Sequence, residues 1–358
     1  MSKKRVTGIR DIARLAGVST ATVSRVLNGN TSVDEALAEK VMHTAESLGY
    51  RPSPAARYMR SKTSGLLGIV VPKLSLAYFS SIVNGAIDKA DEYGQMVVVG
   101  TVEGKSSTEK EFLIKLSNYM IDGLIYCPVA AGPFLEELEI LRHLPLVIAG
   151  RRRVIQGMPH VSTNDEKAGY LATRYLLNLG RKYIGFFAGF WEKPPFPDYP
   201  SMIASIDTPL SGSFSTLDRL RGYRGALLEE GEKIQEALLI FCGFDAESGY
   251  VSSREIVGRL TDLDALIVPN CFVARGVYRF CQEQGIRIPE DISLISLDDS
   301  STGELLATPT TAVVHDMYRV GVEAVERLNQ VILGEEAQDK LIDVKLEIRQ
   351  STVQKTFT

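Results

Sequence analysis

Arg25 is the side chain among the first sixty residues best placed for specific recognition. Within Thr20–Leu27, Val23 and Val26 have the spacing of a buried helical stripe, which leaves Thr20, Ala21, Thr22, Ser24 and Arg25 on the other side. A guanidinium there offers two parallel hydrogen bonds to guanine O6 and N7 in a DNA major groove, worth about 1–3 kcal/mol of discrimination. Thr20 and Ala21 have the size for a thymine methyl or a base edge. Ser19, Thr22 and Ser24 suit phosphate oxygens, which set register without reading sequence. Asn28 is a further DNA-binding candidate. The same residue types also fit a surface charge on a protein-docking bundle.

Enzymatic chemistry finds less support. Gly100-Thr101-Val102-Glu103-Gly104-Lys105-Ser106 follows a strand-like run but is one residue short between its glycines for a phosphate-wrapping P-loop. His43, His143, His160 and His315 show no catalytic spacing, and neither a GxGxxG nor a GxSxG motif occurs. Cys127, Cys242, Cys271 and Cys281 lie scattered, without the clustering of a metal site or a disulfide scaffold. No enzyme, cofactor or metal is expected; free, mostly buried thiols are.

Three short helical patterns must position Arg25. Ile12, Ala13, Leu15 and Ala16 have helical spacing, and Gly17 suits a left-handed stop. Ser19 can cap a second helix, and Asp34 a third that runs to Gly49. Two helices joined by Gly17-Val18-Ser19 predict a helix-turn-helix whose second helix enters a major groove. Charge agrees with that reading. Residues 1–62 hold eleven Lys or Arg against five Asp or Glu, a net +6, so the remainder of this −4 chain carries −10.

The 358 residues accommodate roughly two or three domains, and 45% hydrophobic content suffices for cores. No apolar run approaches the ~20 residues that span a bilayer, and no secretory leader is seen, so a cytoplasmic protein without membrane contact is expected.

Asp11-Ile12-Ala13-Arg14-Leu15-Ala16-Gly17-Val18-Ser19-Thr20-Ala21-Thr22-Val23-Ser24-Arg25-Val26-Leu27-Asn28-Gly29, with Leu48-Gly49-Tyr50-Arg51-Pro52, resembles the LacI/GalR family of bacterial repressors. That resemblance implies a homodimer on a roughly palindromic double-stranded operator, with grip set by a small-molecule effector, a sugar or sugar derivative by family habit. Residues 1–51 are then the DNA-binding domain and 52–64 a hinge. The helical stretch after Pro52 and Pro54 is too short to persist alone. In the family it pairs with its dimer mate and drives an apolar residue into the minor groove, a place held here by Met59. An ordinary interdomain linker is the other reading.

From Gly65 onward apolar runs such as Leu67–Val71, Gly123–Tyr126 and Ala265–Val268 alternate with amphipathic helices, which predicts parallel, doubly wound sheets. The resemblance implies two Rossmann-like, periplasmic-binding-protein-like lobes: lobe 1 about 65–175 with 316–340, lobe 2 about 176–315 with 341–352. It also implies effector contacts from Tyr78, Asn164, Ser215, Arg219, Asn270, Asp298 and His315. The pocket departs from the family pattern: Cys271 follows Asn270 where an Asp is usual, Asn164-Asp165 stands for Asp-Asn, and Ser296-Leu297 for Gly-Phe. Asp298 also fits a turn cap, Arg219 a salt bridge between lobes, and Tyr78 a core aromatic. Trp191 opens a proline-rich stretch to Phe214 that is longer than the family's usual loop; it suits either stacking on a sugar face or anchoring that loop. The rivals are a solute-binding protein without a DNA role and, remotely, a nucleotide-binding enzyme.

Overall fold

A computed structural model describes residues 8–27, 33–50, 63–116, 118–129, 143–152, 157–208, 214–260, 262–299, 301–304, 306 and 308–355. The chain divides into two compact units, residues 1–64 and 65–358.

In the first unit α1 spans Ile9–Ala16, α2 Thr20–Leu27 and α3 Glu35–Ser47. Gly17 ends α1 at φ +70°, a conformation glycine adopts without steric cost, and its N–H returns to the Ala13 carbonyl. Thr22 N–H donates to the Ser19 hydroxyl (3.0 Å) at the start of α2, and Leu37 N–H to Asp34 (3.1 Å) at the start of α3. Ile12, Ala16, Val23, Val26, Val41 and Ala45 form the core. Leu15 departs from its expected inward place: it is 58% exposed, because Ile12 and Ala16, one turn apart, already define the buried stripe.

The second unit is built on two six-stranded sheets. Lobe 1 contains β1 (Leu66–Val71), β2 (Met96–Thr101), β3 (Gly123–Tyr126), β4 (Leu146–Ala149) and β5 (His160–Thr163); β6 (Ile184–Gly189), β7 (Leu239–Cys242), β8 (Ala265–Val268), β9 (Ser293–Ser296) and β10 (Thr311–His315) lie in lobe 2. Near the end, β11 (Lys340–Ile342) returns to lobe 1 and β12 (Val344–Glu347) to lobe 2. The strand orders are β11-β5-β4-β3-β1-β2 and β12-β10-β9-β8-β6-β7. The β10–β12 pair is antiparallel and the other described pairs are parallel. Continuous apolar runs such as Leu-Leu-Gly-Ile-Val-Val in β1 form these strands because helices cover both faces.

The lobe boundaries correct the expected ones. The helix Asp165–Asn178 packs Ala168, Ala172 and Leu176 against Ile184, Phe186 and Tyr223, so it belongs to lobe 2, and the first crossing falls just after β5 rather than near 175. The last crossing follows Ile342, not residue 340, since Lys340–Ile342 pairs with Val161–Thr163. The stretch after Trp191 is also more than a loop. It carries the short helix Tyr199–Ala204 and a 3-10 turn, Ser205–Asp207, and buries Phe196, Met202 and Ile206 in the lobe 2 core. Cys127, Cys242, Cys271 and Cys281 are buried and form no disulfide. Among the described residues no helix is long and apolar enough to cross a membrane.

Candidate functional site

On α2, Val23 and Val26 face the core, while Ser19, Thr20, Ala21 and Arg25 are exposed and Thr22 and Ser24 half-buried. Among the described residues Arg25 makes no ion pair, so its guanidinium is available to a partner. Ser19 is less free than its expected phosphate contact requires: its hydroxyl caps α2 and lies 2.9 Å from the Thr22 hydroxyl. Asn28 and Met59 lie outside the described residues.

Between the lobes, at the carboxyl ends of the strands, is a cleft of about 460 Å³, where open α/β sheets take their ligands. Tyr78, Trp191, Ser215, Arg219, Asn270 and Asp298 line it, six of the eight expected contacts. Arg219 projects from the helix Ser215–Glu229. That helix meets Asp165–Asn178 at glycines: a Cβ on Gly169 would stand 1.9 Å from the Arg219 carbonyl oxygen, and one on Gly222 1.9 Å from that of Glu166. The close approach lets Arg219 Nε donate to Asp165 Oδ1 at 2.6 Å and Nη1 to the Pro269 carbonyl at 3.3 Å. Both partners are buried, at 7% and 5% exposure. This is an ion pair inside lobe 2, not the bridge between lobes that also fitted the sequence.

Asp298 follows β9 at the cleft, and its carboxylate has no partner among the described residues. Burial pushes its pKa up to about 7, against the pull of Arg219 and with a further push from Asp299. Near neutral pH it can thus either accept from a ligand hydroxyl or, when protonated, donate to one. Asn270 lines the cleft but its amide is occupied: Oδ1 caps the helix Cys271–Gln284 through Val273 N–H (2.9 Å), and Nδ2 donates to the Phe244 carbonyl (3.1 Å). Tyr78 presents its ring to the cleft with a long contact from its hydroxyl to the Gly150 carbonyl (3.4 Å), and burial raises its pKa. Trp191 lies 4.6 Å from Phe244 and 5.9 Å from the lobe 1 ring of Phe79, and packs on Gly104. It joins the two walls as well as lining the space.

Asn164 and His315 are not among the residues around the cleft, and their side chains are engaged beside it. Asn164 caps the helix Asp165–Asn178 through Lys167 N–H (3.0 Å). His315 sits at the second crossing between lobes: Nδ1 lies 2.8 Å from the Thr163 hydroxyl and Nε2 3.0 Å from the Leu297 carbonyl. A carbonyl only accepts, so Nε2 carries the proton and neutral Nδ1 accepts from Thr163. Burial pulls the pKa down to about 4, which keeps this clasp neutral.

Arg151 was missed. It lines the cleft directly after β4, and its place at a strand's carboxyl end was the available signal. Arg152 beside it crosses the lobes to Asp218, with Nε–Oδ2 at 3.0 Å and Nη2–Oδ1 at 2.5 Å. Ser106 N–H reaches Glu192 across the same gap at 3.2 Å.

These features match known proteins along the whole chain. The signature of bacterial regulatory proteins of the lacI family covers residues 8–53, and that of the periplasmic binding protein-like domain covers 173–352. The HTH-type transcriptional repressor PurR of Vibrio atlanticus (strain LGP32) is 29% identical over 350 residues, 98% of this chain and 99% of that protein. The lac repressor dimer bound to operator and the anti-inducer ONPF superposes with a TM-score of 0.80 at 26% identity, covering 98% of this chain and 100% of that one. The transcriptional regulator CelR–cellobiose complex gives 0.69 at 26% identity, covering 96% and 99%. The chain belongs to the lacI family of bacterial regulatory proteins: it is a DNA-binding transcriptional regulator whose larger unit has the two-lobed periplasmic-binding-protein fold.

Proposed function

We propose that the protein is a cytoplasmic, homodimeric repressor that binds a roughly palindromic operator through α2 and is controlled by a sugar or sugar derivative in the cleft. The observation that carries this reading is the outward face of α2, where Thr20, Ala21 and Arg25 stand clear of the core with Arg25 unpaired among the described residues. Arg25 reads a guanine, Thr20 and Ala21 meet neighbouring base edges, and Thr22 and Ser24 hold phosphates. Met59, in the hinge at 52–64, wedges the minor groove at the operator's centre.

The relatives support the partners. The lac repressor structure is a dimer on operator, and CelR holds cellobiose. Strand β2, at the edge of its sheet, leaves Met96 70% and Val98 45% exposed, apolar area that a second copy would cover. In the cleft, Asp298 accepts from ligand hydroxyls while Tyr78 and Phe79 offer ring faces. A ligand that grips both walls favours the closed lobes held by Arg152–Asp218 and Trp191. It shifts the DNA-competent population only in so far as it binds the two states differently.

Selection of full-length protein on random duplexes, followed by fluorescence anisotropy, tests this. The expected result is an enriched palindrome, affinity that falls steeply with salt, and at least a tenfold change on adding a sugar that raises the melting temperature. A solute-binding protein without a DNA role would enrich nothing. An enriched site indifferent to every ligand would remove the effector half of the reading.

A further inference from the structure

We infer that the effector is an anionic sugar whose phosphate or carboxylate lies between Arg151 of lobe 1 and Arg219 of lobe 2. This rests on the reading of the cleft as the effector site and narrows the ligand class. Both arginines line the same cavity from opposite walls, Arg151 just beyond β4 and Arg219 from the first turns of Ser215–Glu229. Each has a buried carboxylate near it. Asp165 holds Arg219 at 2.6 Å. Glu109 is fully buried, is fixed by Val129 N–H (2.6 Å), and acts on Arg151 as an opposite charge.

A buried guanidinium that served only to neutralise its carboxylate would gain nothing from facing an open cavity. Here Glu109 is held by Val129 N–H as well, and both arginines line the open space. Arg219 uses Nε and Nη1 on its described acceptors, which leaves Nη2 without one among the described residues. A neutral hydroxyl offers one acceptor oxygen. A phosphate or carboxylate offers several in a plane or fork, the geometry that guanidinium groups match with paired, charge-assisted hydrogen bonds.

The remaining charges point the same way. Lys110 and Lys193 also line the cleft, against Glu192 and Asp298. Glu192 is turned onto Ser106 N–H at the rim. Asp298 stands with Asn270 and Ser215 on the lobe 2 side, suited to the ligand's hydroxyl end. The rings of Tyr78, Phe79 and Phe214 supply apolar wall, and Arg151 lies 5.8 Å from the centre of the Phe214 ring.

The test uses full-length protein, thermal melting and titration calorimetry. The probes are matched sets: glucose, glucose 6-phosphate and glucuronate; galactose, galactose 6-phosphate and galacturonate; and inorganic phosphate alone. One anionic member is expected to bind at least tenfold tighter than its neutral parent, and inorganic phosphate to raise the melting temperature saturably. Whether the phosphate or the acid wins identifies the anion. Because Arg151→Gln alone strands Glu109, the paired variant Glu109→Gln/Arg151→Gln is compared with it. In the pair the anionic preference should shrink to within twofold, and the phosphate effect should vanish. A neutral sugar that binds as well as its anionic counterparts overturns the inference, as does an anionic preference that survives in the pair. So does silence from the whole panel, inorganic phosphate included. If a neutral sugar binds and moves operator affinity, the repressor reading stands and only the anion falls. If no ligand of any charge moves operator affinity, both fall.

Discussion

The helical unit and the cleft place their recognition groups in opposite ways. On α2 the reading side chains are exposed, and a small core beneath them fixes only the helix that carries them. In the cleft the recognition groups are buried and held by their neighbours: Arg219 by Asp165, Asn270 by Val273 and Phe244. Stability and specificity should therefore separate in the first unit and be inseparable in the second. Substitutions that strip one charge at a time test that contrast.

The largest effect is expected from Arg219→Ala. It leaves Asp165 charged and buried without its partner, a loss of about 3–5 kcal/mol for the larger unit. Thermal denaturation should show that unit melting far earlier, with effector binding abolished. Arg219→Ala melting like the parent would mean that the pair is relaxed by water and that the cleft is as forgiving as the helix face. Arg25→Ala is the counterpart. Operator affinity should fall by about 1–3 kcal/mol with specificity relaxed at one base, while stability stays within about 0.5 kcal/mol. An equal loss on random and selected duplexes would make Arg25 a phosphate contact.

The same contrast explains what could be read from the chain. In the first unit Gly17, Ser19 and Asp34 punctuate helices through contacts within four residues, so α1 and α2 lie where their residue patterns place them. Leu15 failed because helical spacing admits more residues to a stripe than a small core can cover. The doubly wound class was also legible, since strand and helix periods alternate plainly. The cleft was legible only in part. Tyr78, Ser215, Arg219, Asn270 and Asp298 come together from distant strand ends, and family pattern rather than local physics pointed to them. Asn164 and His315 have suitable chemistry, but a helix cap and the crossing between lobes claim their side chains. Arg151 carries one weak signal, its place just beyond the apolar run of β4, which says that it stands at a strand's carboxyl end without saying what it faces. The stripe Ala168-Ala172-Leu176 likewise marks a buried helix without saying which sheet it covers, which is why the first boundary was misplaced.

Asp298→Asn sharpens the comparison from the side of pH. The folded-state pKa of Asp298, about 7, lies above that of an unfolded aspartate. The stability associated with the protonated form is thus complete in acid and lost as pH rises through 7. Asparagine removes this titration. At pH 8 the variant should be more stable than the parent by about 1–2 kcal/mol, less than the full shift implies because the carboxyl is partly solvated, and the gain should shrink at pH 5 and vanish below about pH 4. Effector binding should weaken in the same variant. Gain and loss together would show recognition held at a cost to the fold; a pH-independent difference would assign Asp298 an ordinary surface role.

Ser19 is the one residue where the two regimes meet, since it caps α2 and stands at the face turned to DNA. Ser19→Ala should cost the helical unit about 1 kcal/mol through the lost cap. That loss alone does not tell capping from phosphate contact. Ser19→Asp does, because aspartate caps as well as serine yet adds a negative charge. If Ser19 only caps, the aspartate variant should match the parent in melting and keep its operator affinity to within a few fold even at low salt. If its hydroxyl also meets a phosphate, melting should stay unchanged while affinity drops at least tenfold at low salt, equally on operator and random duplexes, because phosphate contacts carry no sequence information.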